Sequence, residues 1–98
     1  MLQLNALYRD LLNSGFIILR QAAEDQDAEW LSVELEFLHN IPSLIGEENV
    51  KRHQYFWNCE RTAYIAWISS SGTERQKSRM TTYYEPIWRQ MEPLIEQM

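Results

Sequence analysis

Apolar residues recur along this chain every three or four positions, the spacing of one face of an α-helix. In the first stretch Leu4, Leu7, Tyr8, Leu11, Leu12, Ile18, Leu19 and Ala22 share a face, with Arg9, Asp10, Asn13, Arg20 and Gln21 opposite. Gly15 lies in the middle of that apolar face. Its missing side chain lets another helix approach closely, although it weakens its own helix by ~1 kcal/mol relative to Ala. Ile17 projects on the polar side, as single apolar residues commonly do.

A second stripe contains Trp30, Leu31, Val33, Leu35, Phe37, Leu38 and Ile41. On one straight helix it would be rotated roughly 110° from the first stripe, so the chain must break to bury both. Glu24-Asp25-Gln26-Asp27 is the expected break, with Asp25 or Asp27 as N-cap and Glu29 in the first turn that follows. Ile41-Pro42 ends this second helix, because the residue before proline avoids the α region. Pro42 to Gly46 reads as a tight connector.

Glu47-Glu48 suit the start of a third helix, whose stripe is Phe56, Trp57, Tyr64 and Trp67 with Ala63 and Ile68 alongside. Tyr55, Cys59, Ile65 and Ala66 leave little of its surface polar, which places it centrally or against a second subunit. Ser69-Ser70-Ser71-Gly72 breaks it. Thr73-Glu-Arg-Gln76 then has the form of a capping box. The fourth stripe is the cleanest: Met80, Tyr83, Tyr84, Ile87, Trp88, Met91, Leu94, Ile95 and Met98. It keeps its phase across Pro86 and Pro93, so the pattern predicts one curved helix bent at Pro86, two helices meeting near Glu85 being the alternative. The expected fold is all-α. One domain (residues 1–98) forms an antiparallel up-down bundle of four helices, about 3–23, 27–40, 47–69 and 73–97, with the third and fourth supplying most of the core.

Ninety-eight residues allow one core and no second domain. The N-terminal MLQLNALYRDLL is amphipathic, unlike a signal peptide, and the longest apolar run, Phe16–Leu19, is far short of a membrane span. The lone Cys59 has no disulfide partner within the chain, so the expectation is a cytoplasmic protein without membrane association. The net charge of −5 conceals an uneven distribution. Arg9 and Arg20 stand against nine acids, leaving residues 1–48 at −7, whereas residues 49–98 carry seven bases and five acids, +2. The cluster Arg75, Lys77 and Arg79 and the looser Lys51, Arg52 and Arg61 do not dominate an acidic chain. Attraction between the halves or between subunits is expected, and no nucleic-acid partner.

Glu36-Phe-Leu-His39 has the spacing that supplies two ligands to a di-iron centre in a helical bundle. Both residues fall on the polar side of the helix, so a solvated face is expected, with no metal and no cofactor. Glu34 is more informative, because it stands in the centre of the apolar arc between Trp30 and Leu38. A buried, unpaired carboxylate is costly and requires a partner. His53 and Glu60 are seven residues apart within the aromatic arc of the third helix, with Arg61 at its edge and Tyr64 one turn beyond Glu60. If helices two and three pack face to face, Glu34, His53, Glu60, Arg61 and Tyr64 converge. They then form either a satisfied network, such as Glu34 with Arg61 and His53 with Glu60, or a site for a small ligand or acid–base chemistry.

No phosphate-binding loop, metalloprotease motif, calcium loop or activated nucleophile is present, which argues against an enzyme. Twelve aromatics, and seven Arg against two Lys, suit a protein-contact surface. The favoured expectation is a small acidic protein-interaction module that self-associates, with Tyr55, Phe56, Trp67 and Trp88 as the candidate interface. The rival is the ligand or acid–base site.

Overall fold

The computed structural model describes residues 2–98, with the side chains from Gln3 onward. Its elements are α1 (Leu2–Glu24), α2 (Ala28–His39), α3 (Ile41–Leu44), α4 (Val50–Tyr55), a π-helical turn (Phe56–Arg61), α5 (Thr62–Ser71), α6 (Glu74–Tyr83) and α7 (Glu85–Glu96). No strand occurs among the described residues. The fold is all-α. Because α4, the π-turn and α5 run on as a single rod, five main helices and one short turn replace the four expected.

The break after α1 lies where the charge run predicted it. The Gln26 amide bonds to the Ala23 carbonyl and the Asp27 amide reaches back to Ala22, while Gln26 takes φ +55°. That is a helix end of the left-handed kind, here built on glutamine rather than glycine. Asp27 then caps α2 by accepting from the Trp30 amide at 3.1 Å. Pro42 to Gly46 is not a bare connector. Pro42 sits in the first turn of α3, where a missing amide hydrogen does no harm. The third helix starts later than predicted, because Asn49 and not the glutamate pair caps it, accepting from the Lys51 amide.

The capping box of Thr73 and Gln76 forms in both directions. The single curved helix over residues 73–97 does not form. The chain takes the alternative of two helices meeting beside Glu85, with Tyr84 ending α6 and Pro86 in the first turn of α7. The proline ring would clash with the carbonyl four residues earlier, and ending the first helix removes that conflict. Pro93 is tolerated inside α7.

One buried cluster draws on α1, α2, α3, the π-turn, α5 and α7, with Met80 and Tyr83 of α6 packed against it. The expected third and fourth helices supply nine of the twenty buried hydrophobic residues described, just under half, and α1 contributes the longest row: Leu4, Leu7, Tyr8, Leu11, Ile18 and Ala22. Gly15 has the role the pattern assigned it, because a Cβ there would lie 2.5 Å from both methyl groups of Leu38 on α2. Leu35, read as part of the α2 stripe, is instead 56% exposed. It lies about 100° round the helix from Glu34, which faces the core, and so on the outer side of the seam with α1.

The charge split has an intramolecular outcome. Arg79 and Arg75 of α6 contact the Asp25 carboxylate at 2.9 and 3.2 Å, and Arg52 contacts Glu47 at 2.9 Å. The basic half is thereby tied to the acidic one.

Candidate functional site

Glu34 is completely buried, and α2 points it into the aromatic core. The Trp30 indole N–H donates to Oε1 at 2.8 Å, the Tyr64 hydroxyl donates to the same oxygen, and the Tyr84 hydroxyl donates to Oε2 at 2.7 Å. Three neutral donors from α2, α5 and the α6–α7 junction thus replace the expected arginine. Burial pushes the carboxyl above its ordinary range, and the hydrogen bonds from Tyr64, Tyr84 and Trp30 pull in the opposite direction without cancelling it.

His53 is also completely buried, but in a different place. One ring nitrogen, Nε2, lies 2.8 Å from the Glu47 carbonyl, which can only accept, so Nε2 carries the hydrogen. Nδ1 then accepts from the Tyr8 hydroxyl at 2.9 Å. The imidazole also stacks on the Tyr8 ring, with centroids 5.6 Å apart. It joins α4 to α1 and has no carboxylate partner.

The five residues expected to converge therefore divide. Glu34 and Tyr64 meet, His53 belongs to the Tyr8 contact, and Glu60 reaches only the Asn40 amide at 3.2 Å. Arg61 lies over the Trp57 ring at 4.0 Å and 5.9 Å from the Trp88 ring, and it enters no ion pair among the described residues. The cause is the π-turn. Its wider turn holds more residues than an α-turn, so the phase of an ideal helix does not hold across Phe56–Arg61. Phe56 and Trp57 both enter the core at the start of the turn, and Tyr64 and Ile68 do so after it. Glu60, in phase with His53 on an ideal helix, is left at the edge.

That edge borders a groove between α2 and the rod. About 460 Å³ in volume, it has Phe37 and Tyr64 as floor, Tyr55, Cys59, Ala63 and Trp67 along the rod, and Val33 and Glu36 along α2. Glu60 lies at the junction with a neighbouring hollow of about 300 Å³ beside Asn40, Ser43 and Lys51, and Tyr55 borders both. Tyr55 is 61% exposed. Neither Glu36 nor Glu60 forms an ion pair among the described residues.

The four aromatics read as an interface also divide. Tyr55 and Trp67 line the groove, whereas Phe56 and Trp88 are buried and packed against Phe37. The π-turn again accounts for Phe56, which it holds inward next to Trp57. Glu36 and His39 are exposed on α2, and no group of three or more metal-binding side chains occurs among the described residues. Glu36, expected on a solvated face, is exposed and also lines the groove. Its place on the same side of α2 as Val33 was the available signal. No helix of the described residues is long and apolar enough to cross a membrane. No family model, curated protein or solved structure matches the chain.

Proposed function

We propose that this chain is a non-catalytic protein-interaction module whose working surface is the groove between α2 and the rod. The observation that carries the reading is a cleft with an aromatic floor and walls and two carboxylates, Glu36 and Glu60, that have no cation partner among the described residues. Such a cleft fits an amphipathic segment that places an apolar anchor over Phe37 and Tyr64 and basic residues at the rim. Glu34 does not compete as an acid–base centre, because its oxygens are occupied by buried donors beneath the groove floor. The reading places the protein in the cytoplasm, where an exposed unpaired thiol such as Cys59 stays reduced.

Titrating the ¹⁵N-labelled chain with a short amphipathic peptide of leucine and arginine tests this. The expected result is shifts at the Trp67 indole and the Ala63 amide that vanish in Glu36→Lys/Glu60→Lys. The reading fails if the double variant binds equally well, or if no shift appears by about 1 mM peptide.

A further inference from the structure

The groove reading leaves its occupant open, and α1 supplies a candidate. Opposite its buried row, α1 presents Arg9, Asn13, Phe16, Arg20 and Ala23 at alternating spacings of four and three residues, all exposed. That spacing is the stripe a helix uses to seat on other helices. Phe16 is 55% exposed, and Ile17 beside it is 39% exposed. Single exposed apolar side chains are ordinary, but an exposed phenylalanine flanked along one stripe by two arginines is a more specific combination.

The charges sharpen it. Arg9 and Arg20 are the only cations in residues 1–48, which otherwise hold nine acids. Both fall on this outward stripe, and neither enters an ion pair among the described residues. Arg52, Arg75 and Arg79, by contrast, are committed to carboxylates of their own chain. The groove carries the complementary pattern of aromatic walls, an aromatic floor and two uncommitted carboxylates.

We infer that the groove receives α1 of a second copy of this chain. Phe16 enters over Phe37 and Tyr64, and Arg9 and Arg20 reach Glu36 and Glu60. This rests on the groove being a binding surface and names its partner. Stripe and groove are different surfaces, so the contact is either made twice in a reciprocal two-fold pair or repeated head-to-tail in a ring or open chain. One helix face in one groove buries less than a standard interface, so the association is weak and falls with salt.

Sedimentation equilibrium at low ionic strength is expected to show concentration-dependent association by about 1 mM, lost in Arg9→Glu/Arg20→Glu and in Glu36→Arg/Glu60→Arg. Mixing those two variants is expected to restore it, because the acidified stripe of one meets the basic groove of the other. Circular dichroism checks that each is folded, which surface substitutions allow. Cys59 lies in the groove, so Asn13→Cys is expected to form a disulfide-linked dimer under mild oxidation, and Asn13→Cys/Cys59→Ser is not.

A dimer trapped in that last variant means α1 pairs with α1 and overturns the proposal. Absence of rescue on mixing overturns it too. A strict monomer whose groove still takes the leucine–arginine peptide overturns the second-copy occupant alone. A strict monomer that ignores the peptide removes the groove reading as well.

Discussion

Replacing Glu34 tests whether a buried carboxylate without a cation is held by its three donors. In Glu34→Ala the Trp30 indole and the Tyr64 and Tyr84 hydroxyls lose their acceptor in a site without water access. An orphaned buried donor is unfavourable by about 1–3 kcal/mol, so three amount to about 3–9 kcal/mol before the vacated volume is counted. A domain of this size is stable by only about 5–15 kcal/mol, so Glu34→Ala should be largely unfolded or close to it. Glu34→Gln keeps the shape and one acceptor oxygen, but turns an amide toward one hydroxyl, for a loss of about 1–3 kcal/mol. Glu34→Leu/Tyr64→Phe/Tyr84→Phe removes donors along with the acceptor and should be more stable than Glu34→Leu alone. Urea unfolding followed by tryptophan fluorescence reads all four. The reasoning is refuted if Glu34→Ala loses less than about 1 kcal/mol, or if the triple variant is no more stable than the single one.

The same residue predicts a pH dependence. Burial holds the folded-state carboxyl above its unfolded value of ~4.3 despite the three donors. Between the two values the folded chain keeps a proton that the unfolded chain has released. Glu34's contribution is therefore complete below the unfolded value and declines as pH rises through the folded one. The stability gap between wild type and Glu34→Gln should narrow as pH is raised through that window. A gap that widens contradicts the assigned direction.

Three further outcomes follow from named contacts. Gly15→Ala should lower Tm despite alanine's ~1 kcal/mol advantage in a helix, because its methyl meets Leu38 at 2.5 Å, and the same substitution should cost less when made in a Leu38→Ala background. A higher Tm in Gly15→Ala would show that α1 and α2 are not in close contact there. Tyr8→Phe should lose about 1 kcal/mol and His53→Ala about 2–5 kcal/mol in urea titrations, since only the second also strips the Glu47 carbonyl and opens a cavity. Equal losses would mean the histidine contributes nothing beyond its Tyr8 bond. Asp25→Asn should destabilise more at low than at high salt, because Arg75 and Arg79 both address that carboxylate near solvent. A salt-independent effect would point to packing rather than charge.

Much of the fold was legible because α1, α2 and α7 carry undisturbed helical periods. The Gly15 approach, the break near Asp27 and the Thr73 capping box each come from a local rule with a local cause. Glu34 was legible for the same reason, as a charge in the centre of an apolar arc. Its partners were not, because any core donor satisfies a carboxylate and periodicity does not say which tyrosine comes near. Pro86 marked a disturbance but not its form, since a proline both bends a helix and starts one. The left-handed Gln26 and the Asn49 cap belong to residue types that only sometimes take those places.

The largest departure has one physical source, and it also creates the proposed site. A regular helix over residues 50–71 would carry Glu60 inward with His53 and pack a second buried carboxylate against the core. The π-turn leaves that carboxylate half-buried at the groove edge and keeps Tyr64 inward, its hydroxyl on Glu34 and its ring stacked on Phe37 at 4.7 Å. Glu34 holds the groove floor from beneath, while Glu60 sets the charge of its rim from above. Two acids that look equivalent on a helical wheel thus take separate places, one buried beneath the proposed site and the other at its rim. A sequence period has no means of showing that division, because the inserted turn changes the phase without changing the kinds of residue that fill it.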